Sequence, residues 1–312
     1  MITPTAMLMG HGPIGRVVDL AVEAERTGFG RCWIYDEGLH TRDVWVTLAA
    51  IAAKTERIPI GPGITNPYTR HPGVTAMAAA TLAEMSGGRA FLGLGVGGGL
   101  TLGPLAMGRP SPARTMEDMV RALRELWSGE TVDIESASFS LCGAKLGLPP
   151  QRIDLWVAGR GPRITDLGAR HADGFHLSFV SKRLLPGVIG RIKAIRPVRI
   201  SYSTMLVADD DDLVEARRQL SFRIPDQPPE VHAALRIDAD EITSIRKALG
   251  EGGPALAAEL VREEWLDEFV LYESTAKREL ESLSGSINEF AVPILDLESG
   301  SARMQKAAGI AG

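Results

Sequence analysis

The segment from Arg57 to Gly99 constrains the fold more than any other part of the chain. A short apolar run, Ile58-Pro-Ile-Gly-Pro-Gly63, leads into a loop crowded with Gly and Pro that ends at His71. Pro72 suits the first helical position, where the missing N–H has no intrahelical partner to lose. The Ala-rich stretch from Val74 to Met85 predicts a helix that lies close to what it covers, and Ser86-Gly-Gly88 supplies a left-handed stop. Ala90-Phe-Leu-Gly-Leu-Gly95 then reads as a buried strand that opens into Gly97-Gly-Gly99. Strand, loop, helix, strand and glycine loop make a parallel βαβ unit with both loops at strand carboxyl ends. Parallel α/β folds house their chemistry at that edge.

The same rhythm runs through the chain. Strands are predicted at Thr5–Met9, Cys32–Tyr35, Ile58–Gly63, Ala90–Gly95, Ile153–Ala158, Gly174–Ser178, Val198–Val207 and Glu289–Leu295. Helical stripes separate them, such as Val17, Val18, Ala21, Val22 and Ala24 before Gly28. Ser111-Pro112 predicts an N-cap followed by Pro at the first helical position, and Thr131 to Leu141 a small hairpin. Eight strands alternating with helices predict an α/β fold, a (β/α)₈ TIM barrel with insertions. Its 312 residues fit a single domain, 1–312, with a helical, polar insertion around 223–270 broken at Pro225 to Pro229 and Gly250 to Pro254.

Composition narrows the function classes. A hydrophobic content of 45% supports a large core, and the net charge of −5 comes from interspersed signs. With no basic stripe, nucleic acid and anionic membrane are not expected partners. No apolar run approaches the ~20 residues of a membrane span and no signal pattern opens the chain, so a cytoplasmic protein is expected. Cys32 and Cys142 suggest neither a disulfide framework nor a metal motif, and no Cys/His pair has ligand spacing, so no metal is expected. Asp209 to Asp212 reads as the acidic start of a helix.

Three constellations carry chemistry. Gly93-Leu-Gly95-Val-Gly97-Gly98 spells a dinucleotide-binding pattern, but a Rossmann site needs a helix to open at once on its last glycines. Here prolines follow and no helix is expected before Ser111, so a glycine loop lying flat beside a ligand fits better. Ala158-Gly159-Arg160-Gly161-Pro162 joins a strand to a helix, where backbone N–H groups and the helix dipole attract an anion. Asp36, Glu37 and His40 share the loop after the second strand and are the leading acid/base candidates, with His11 nearby after the first. His71 and His171 flank helices and read as structural.

At Trp33-Ile-Tyr-Asp36, at Gly61 through Pro72, at Ser86 through Gly95 and at Trp156 through Pro162 with Ala172-Asp-Gly-Phe175, the chain resembles luciferase-like barrel enzymes. It resembles the branch that uses coenzyme F420, a 5-deazaflavin, typified by methylenetetrahydromethanopterin reductase. That resemblance implies an F420-dependent oxidoreductase that transfers hydride between the deazaflavin and a small-molecule substrate. It implies that Gly63, Ile64, Thr65 and Asn66 contact the ring, across a non-prolyl cis peptide at Gly63-Ile64. It further implies that Gly95, Gly97 and Gly98, with Ala158, Gly159 and Gly161, hold the tail and its phosphate, where Arg160 adds positive charge. A homo-oligomer, dimer or tetramer, is expected. The chain departs from the branch at Asp36-Glu37, where many relatives carry Asp-His, and at Met9-Gly-His-Gly12, where the reductase has a glutamate. An FMN-dependent monooxygenase of the same barrel family, or a cofactor-binding barrel without catalysis, remains the alternative.

Overall fold

The computed structural model describes residues 2–311. Eight parallel strands wind around one axis: β1 (Thr3–Leu8), β2 (Cys32–Ile34), β3 (Ile60–Pro62), β4 (Phe91–Leu94), β5 (Asp154–Ala158), β6 (Gly174–Ser178), β7 (Arg199–Ser203) and β8 (Glu289–Ile294). They pair in the order β3-β2-β1-β8-β7-β6-β5-β4, and bridges Ile60–Ala90 and Thr65–Leu94 join the two ends. This is the expected (β/α)₈ barrel. Helices α1 (Ile14–Arg26), α2 (Val44–Ala52), α3 (Pro72–Met85), α4 (Pro112–Ser128), α5 (Pro162–His171) and α6 (Leu185–Ile195) cover its outside. The Asp43 carboxylate caps α2 by accepting from the Trp45 and Val46 N–H groups at 2.9 and 3.0 Å. His71 caps α3 through Nδ1, and its Nε2 lies 3.1 Å from the Ser140 carbonyl of the hairpin Val132–Glu135/Ser140–Ala144.

Strand alternation sorts the side chains. Ala6, Leu8, Cys32, Ile34, Ile60, Leu92, Leu94, Leu155 and Val157 face the helices in the main core. Met7, Trp33, Tyr35, Phe91, Trp156 and Ala291 fill the barrel interior instead. The Trp33 ring meets Phe91 and Trp156 edge-on at 4.6 and 5.4 Å. At the amino end, the buried Arg31 guanidinium donates twice to the Glu289 carboxylate, Nε to Oε2 and Nη2 to Oε1, both at 2.9 Å. The same guanidinium lies 4.3 Å from the Trp156 ring centre and 4.7 Å from that of Phe91.

Several expectations need correction. The long strand from Val198 to Val207 divides: Arg199–Ser203 stays in the barrel, while Met205–Val207 pairs with Val270–Tyr272. Thr204 marks the break, its hydroxyl donating to the Phe269 carbonyl. Ser111 precedes α4 but makes no side-chain cap, because its φ of 44° and ψ of 59° turn the chain left-handed. A helical turn at Gly99–Leu102 comes before Ser111, where no helix was expected. The segment 223–270 is helical, at Pro229–Leu235, Ala239–Ala258 and Glu263–Phe269, but it is not polar throughout. Val231, Ile245, Trp265 and Phe269 form a second core with Met205 and with Leu220 of helix α7 (Asp210–Arg223).

The crowded interior makes one substitution diagnostic. A methyl group at Gly61 would sit 2.2 Å from the Phe91 carbonyl oxygen, a backbone atom that cannot swing aside. Gly61→Ala should therefore destabilise the protein by about 1–3 kcal/mol, the usual cost of overpacking. Urea unfolding checks this, and a midpoint equal to the parent's contradicts the packing described.

Candidate active site

A cavity of about 360 Å³ opens at the carboxyl ends of the strands. One wall is the β3 loop, Gly63 to Asn66, and the Gly63-Ile64 peptide is cis. The loop is sewn to β4: the Thr65 N–H donates to the Gly93 carbonyl at 3.0 Å, and the Gly95 N–H donates back to Thr65 at 2.9 Å. Asn66 folds its side chain inward, accepting from the Tyr68 and Thr69 N–H groups at 2.9 and 3.0 Å. Ile64 can lie over β4 only because that strand carries glycine. A methyl group at Gly93 would meet the Pro62 carbonyl oxygen at 2.4 Å, and one at Gly95 would meet Ile64 Cδ1 at 2.3 Å.

The opposite end is glycine backbone. Gly97, Gly98 and Gly99 line it from β4, and Ala158, Gly159, Arg160 and Gly161 from β5. A methyl group at Gly98, Gly99 or Gly161 would meet no protein atom within 4 Å, so open space lies against these main-chain groups. Gly159 differs, since a methyl group there would strike Ile164 Cγ2 at 2.4 Å. Its glycine serves the packing of α5. Gly161 immediately precedes α5, which opens on Pro162, so the amino end of that helix adjoins the cavity lining.

Charges are unevenly placed. Asp36 and Glu37 line the cavity from the β2 loop, and Thr101 donates to Glu37 Oε2 at 3.4 Å. Burial raises the Asp36 carboxyl above the usual carboxylate range, with the Thr65 hydroxyl opposing. Arg160 donates through Nε to the Ser178 carbonyl at 3.2 Å. Burial, helped by the charge of Arg223 and opposed by Asp226, lowers its pKa to about 10. His176 is 1% exposed and its Nδ1 lies 3.2 Å from the Ser201 hydroxyl. Its Nε2 has no hydrogen-bond partner among the described residues. Burial and the Arg31 charge push its pKa down to about 3, so it is a neutral ring.

The structure thus brings together Asp36, Glu37, Gly63, Ile64, Thr65, Asn66, Gly97, Gly98, Ala158, Gly159, Arg160 and Gly161. Two expected residues are not at the cavity surface. Gly95 lies beneath Ile64 and acts as its seat. His40 ends a 3₁₀ turn, Gly38–His40, that carries it to a neighbouring cavity with His11, Asp209, Asp211 and Asp296. The lining residues that the sequence analysis did not mark include Tyr35, Arg109, His176 and Arg223. A histidine at an inward position of an otherwise apolar strand was the available signal for His176. Arg223 offered none.

Known proteins are similar to this one in sequence and in architecture. A 5,10-methylenetetrahydromethanopterin reductase from Archaeoglobus fulgidus is 31% identical over 261 residues, 79% of this chain and 78% of that protein. An F420-dependent glucose-6-phosphate dehydrogenase from Kineococcus radiotolerans is 29% identical over 264 residues, 73% of this chain and 76% of that one. The coenzyme F420-dependent tetrahydromethanopterin reductase of Methanopyrus kandleri superposes with a TM-score of 0.84, covering 98% of this chain and 97% of its own at 22% identity. The model of the luciferase-like monooxygenase family matches residues 1–284, and the chain belongs to that family.

Proposed function

We propose that this protein is an oxidoreductase that uses coenzyme F420 and moves hydride between the deazaflavin and an organic substrate. The observation that carries the reading is the strand-end cavity, apolar at the Ile64 wall and bare glycine backbone at the other end. It occurs in a chain whose relatives include enzymes named for F420. The residues present suit such a molecule. Ile64, packed over Gly93 and Gly95, offers a flat apolar surface to one face of a ring, and open space before Gly98 and Gly161 admits close backbone contact by a tail. Arg160 and the first N–H groups of α5 supply positive charge for a phosphate. The buried Nε2 of His176 offers a polar contact that no other group among the described residues satisfies.

When bound, the deazaflavin supplies the carbon that gives or accepts hydride. The chain's residues do the rest. Hydride transfer needs donor and acceptor carbons held in near-attack geometry, so fixing the ring against Ile64 supplies much of the rate. Asp36 and Glu37 manage protons at the β2 loop. Burial raises the Asp36 carboxyl, which favours its proton-holding form, and Glu37 lies beside it to accept or return a proton. His40, lining the neighbouring cavity, is not assigned a role in this proton transfer.

Fluorescence titration with coenzyme F420, and separately with FMN, tests the cofactor. F420 should bind at least tenfold more tightly, and FMN binding as tightly or tighter would favour the monooxygenase reading instead. Turnover tests the acid/base pair. Asp36→Asn and Glu37→Gln should each lower kcat by ~10²–10⁴-fold, with the dissociation constant for F420 changed less than threefold. Parent-like turnover in both variants would remove proton transfer from this loop.

A further inference from the structure

Arg223, the last residue of α7, does not belong to the barrel, yet its side chain lines the cavity. Its guanidinium is firmly held. It lies 4.3 Å from the Phe179 ring centre and 4.5 Å from that of Phe222, and Nη1 donates to the Gln219 carbonyl at 2.9 Å. Nη1 also donates to the Gln219 side-chain oxygen. Among the described residues, Nε and Nη2 make no hydrogen bond, and no carboxylate lies within ion-pair distance of Arg223 or of Arg160. Desolvation of an unpaired cation is costly, so such a group persists where a ligand completes it.

The two arginines are neighbours that differ in what they already hold: Arg160 donates to the Ser178 carbonyl, and Arg223 lies over the ring of the adjoining Phe179. Arg160 follows β5 among the glycines. Arg223 lies between Arg160 and the β2 loop, where Tyr35 and the Glu37 carboxylate act on it ahead of Glu215. A phosphate held by the glycine backbone and Arg160 still leaves Nε and Nη2 of Arg223 without an acceptor. We propose that Arg223 receives an oxyanion, a carboxylate or phosphate carried by the organic substrate, and so selects acidic substrates over neutral ones. A planar guanidinium with Nε and Nη2 free offers the two parallel donors that such a group accepts in bidentate fashion. Stacking on Phe179 and Phe222 fixes that fork before the ligand arrives, which reduces the entropy lost on binding. The inference rests on the cofactor reading above, because it assigns the glycine end to coenzyme F420.

The test titrates inorganic phosphate into the protein saturated with coenzyme F420, using the parent, Arg223→Met and Arg223→Lys. The parent should bind phosphate, Arg223→Met at least tenfold more weakly, and Arg223→Lys in between, because lysine keeps the charge but not the fork. Raising ionic strength should weaken parent binding and leave Arg223→Met little affected. A loaded parent that binds no phosphate, or an Arg223→Met variant that binds it like the parent, overturns the proposal. Coenzyme titration of the same variants separates the source of the anion. Affinity for F420 should change less than threefold, whereas a loss beyond tenfold in Arg223→Met assigns the guanidinium to the coenzyme and overturns the substrate role. A parent that fails to bind F420 at all sinks the cofactor reading. In that event the phosphate comparison between parent and Arg223→Met, run on unloaded protein, still decides whether Arg223 holds an oxyanion.

Discussion

The contact between the β3 loop and the glycines of β4 is the constraint from which the rest of the site follows. Ile64 and the Pro62 carbonyl lie where side chains of β4 would otherwise stand, with only 2.3–2.8 Å between them and the methyl groups that Gly93 and Gly95 lack. Because β4 has no side chains there, the loop lies across the barrel mouth and turns Ile64 to the cavity. The same absence gives Gly-Leu-Gly-Val-Gly its resemblance to a dinucleotide motif. Its first glycines seat a loop, and only Gly97 and Gly98 reach ligand space. One strand thus builds the apolar wall and begins the polar end of the cavity.

Below that wall the interior is closed and rigid. Trp33, Phe91 and Trp156 fill the barrel, and Arg31 with Glu289 seals the amino end beneath them. Removing one partner from a buried ion pair costs ~3–5 kcal/mol, so the seal is sensitive even though the pair itself adds little net stability. The Arg31 charge also acts upward, helping to hold His176 neutral on the cavity floor. A neutral imidazole with one nitrogen committed to Ser201 keeps the other available to a ligand without adding charge near a reacting carbon.

Much of this was legible in the sequence because it is local. Strand–helix alternation, Pro72 at a helix start and the glycine runs each reflect backbone chemistry within a few residues, and they yield the barrel and its working edge. The residues that escaped are joined by tertiary packing. Arg31 and Glu289 pair across 258 positions, and nothing near either marks the partner. Arg223 reaches the cavity from a helix outside the barrel, so its direction depends on how α7 packs on Phe179. His40 was misplaced for the converse reason, since a single 3₁₀ turn separates it from Asp36 and Glu37 despite their closeness in sequence. The divided strand at Thr204 was hidden because apolar, β-forming residues continue on both sides of the break.

A crystal structure of the protein with coenzyme F420 tests the central claim most directly. The account predicts the deazaflavin ring with one face against Ile64, its tail along Gly97-Gly98 and Ala158 to Gly161, and the face away from Ile64 open towards Arg223. A ring lodged in the neighbouring cavity by His11 and His40, or one held away from Ile64 by another residue, would contradict it.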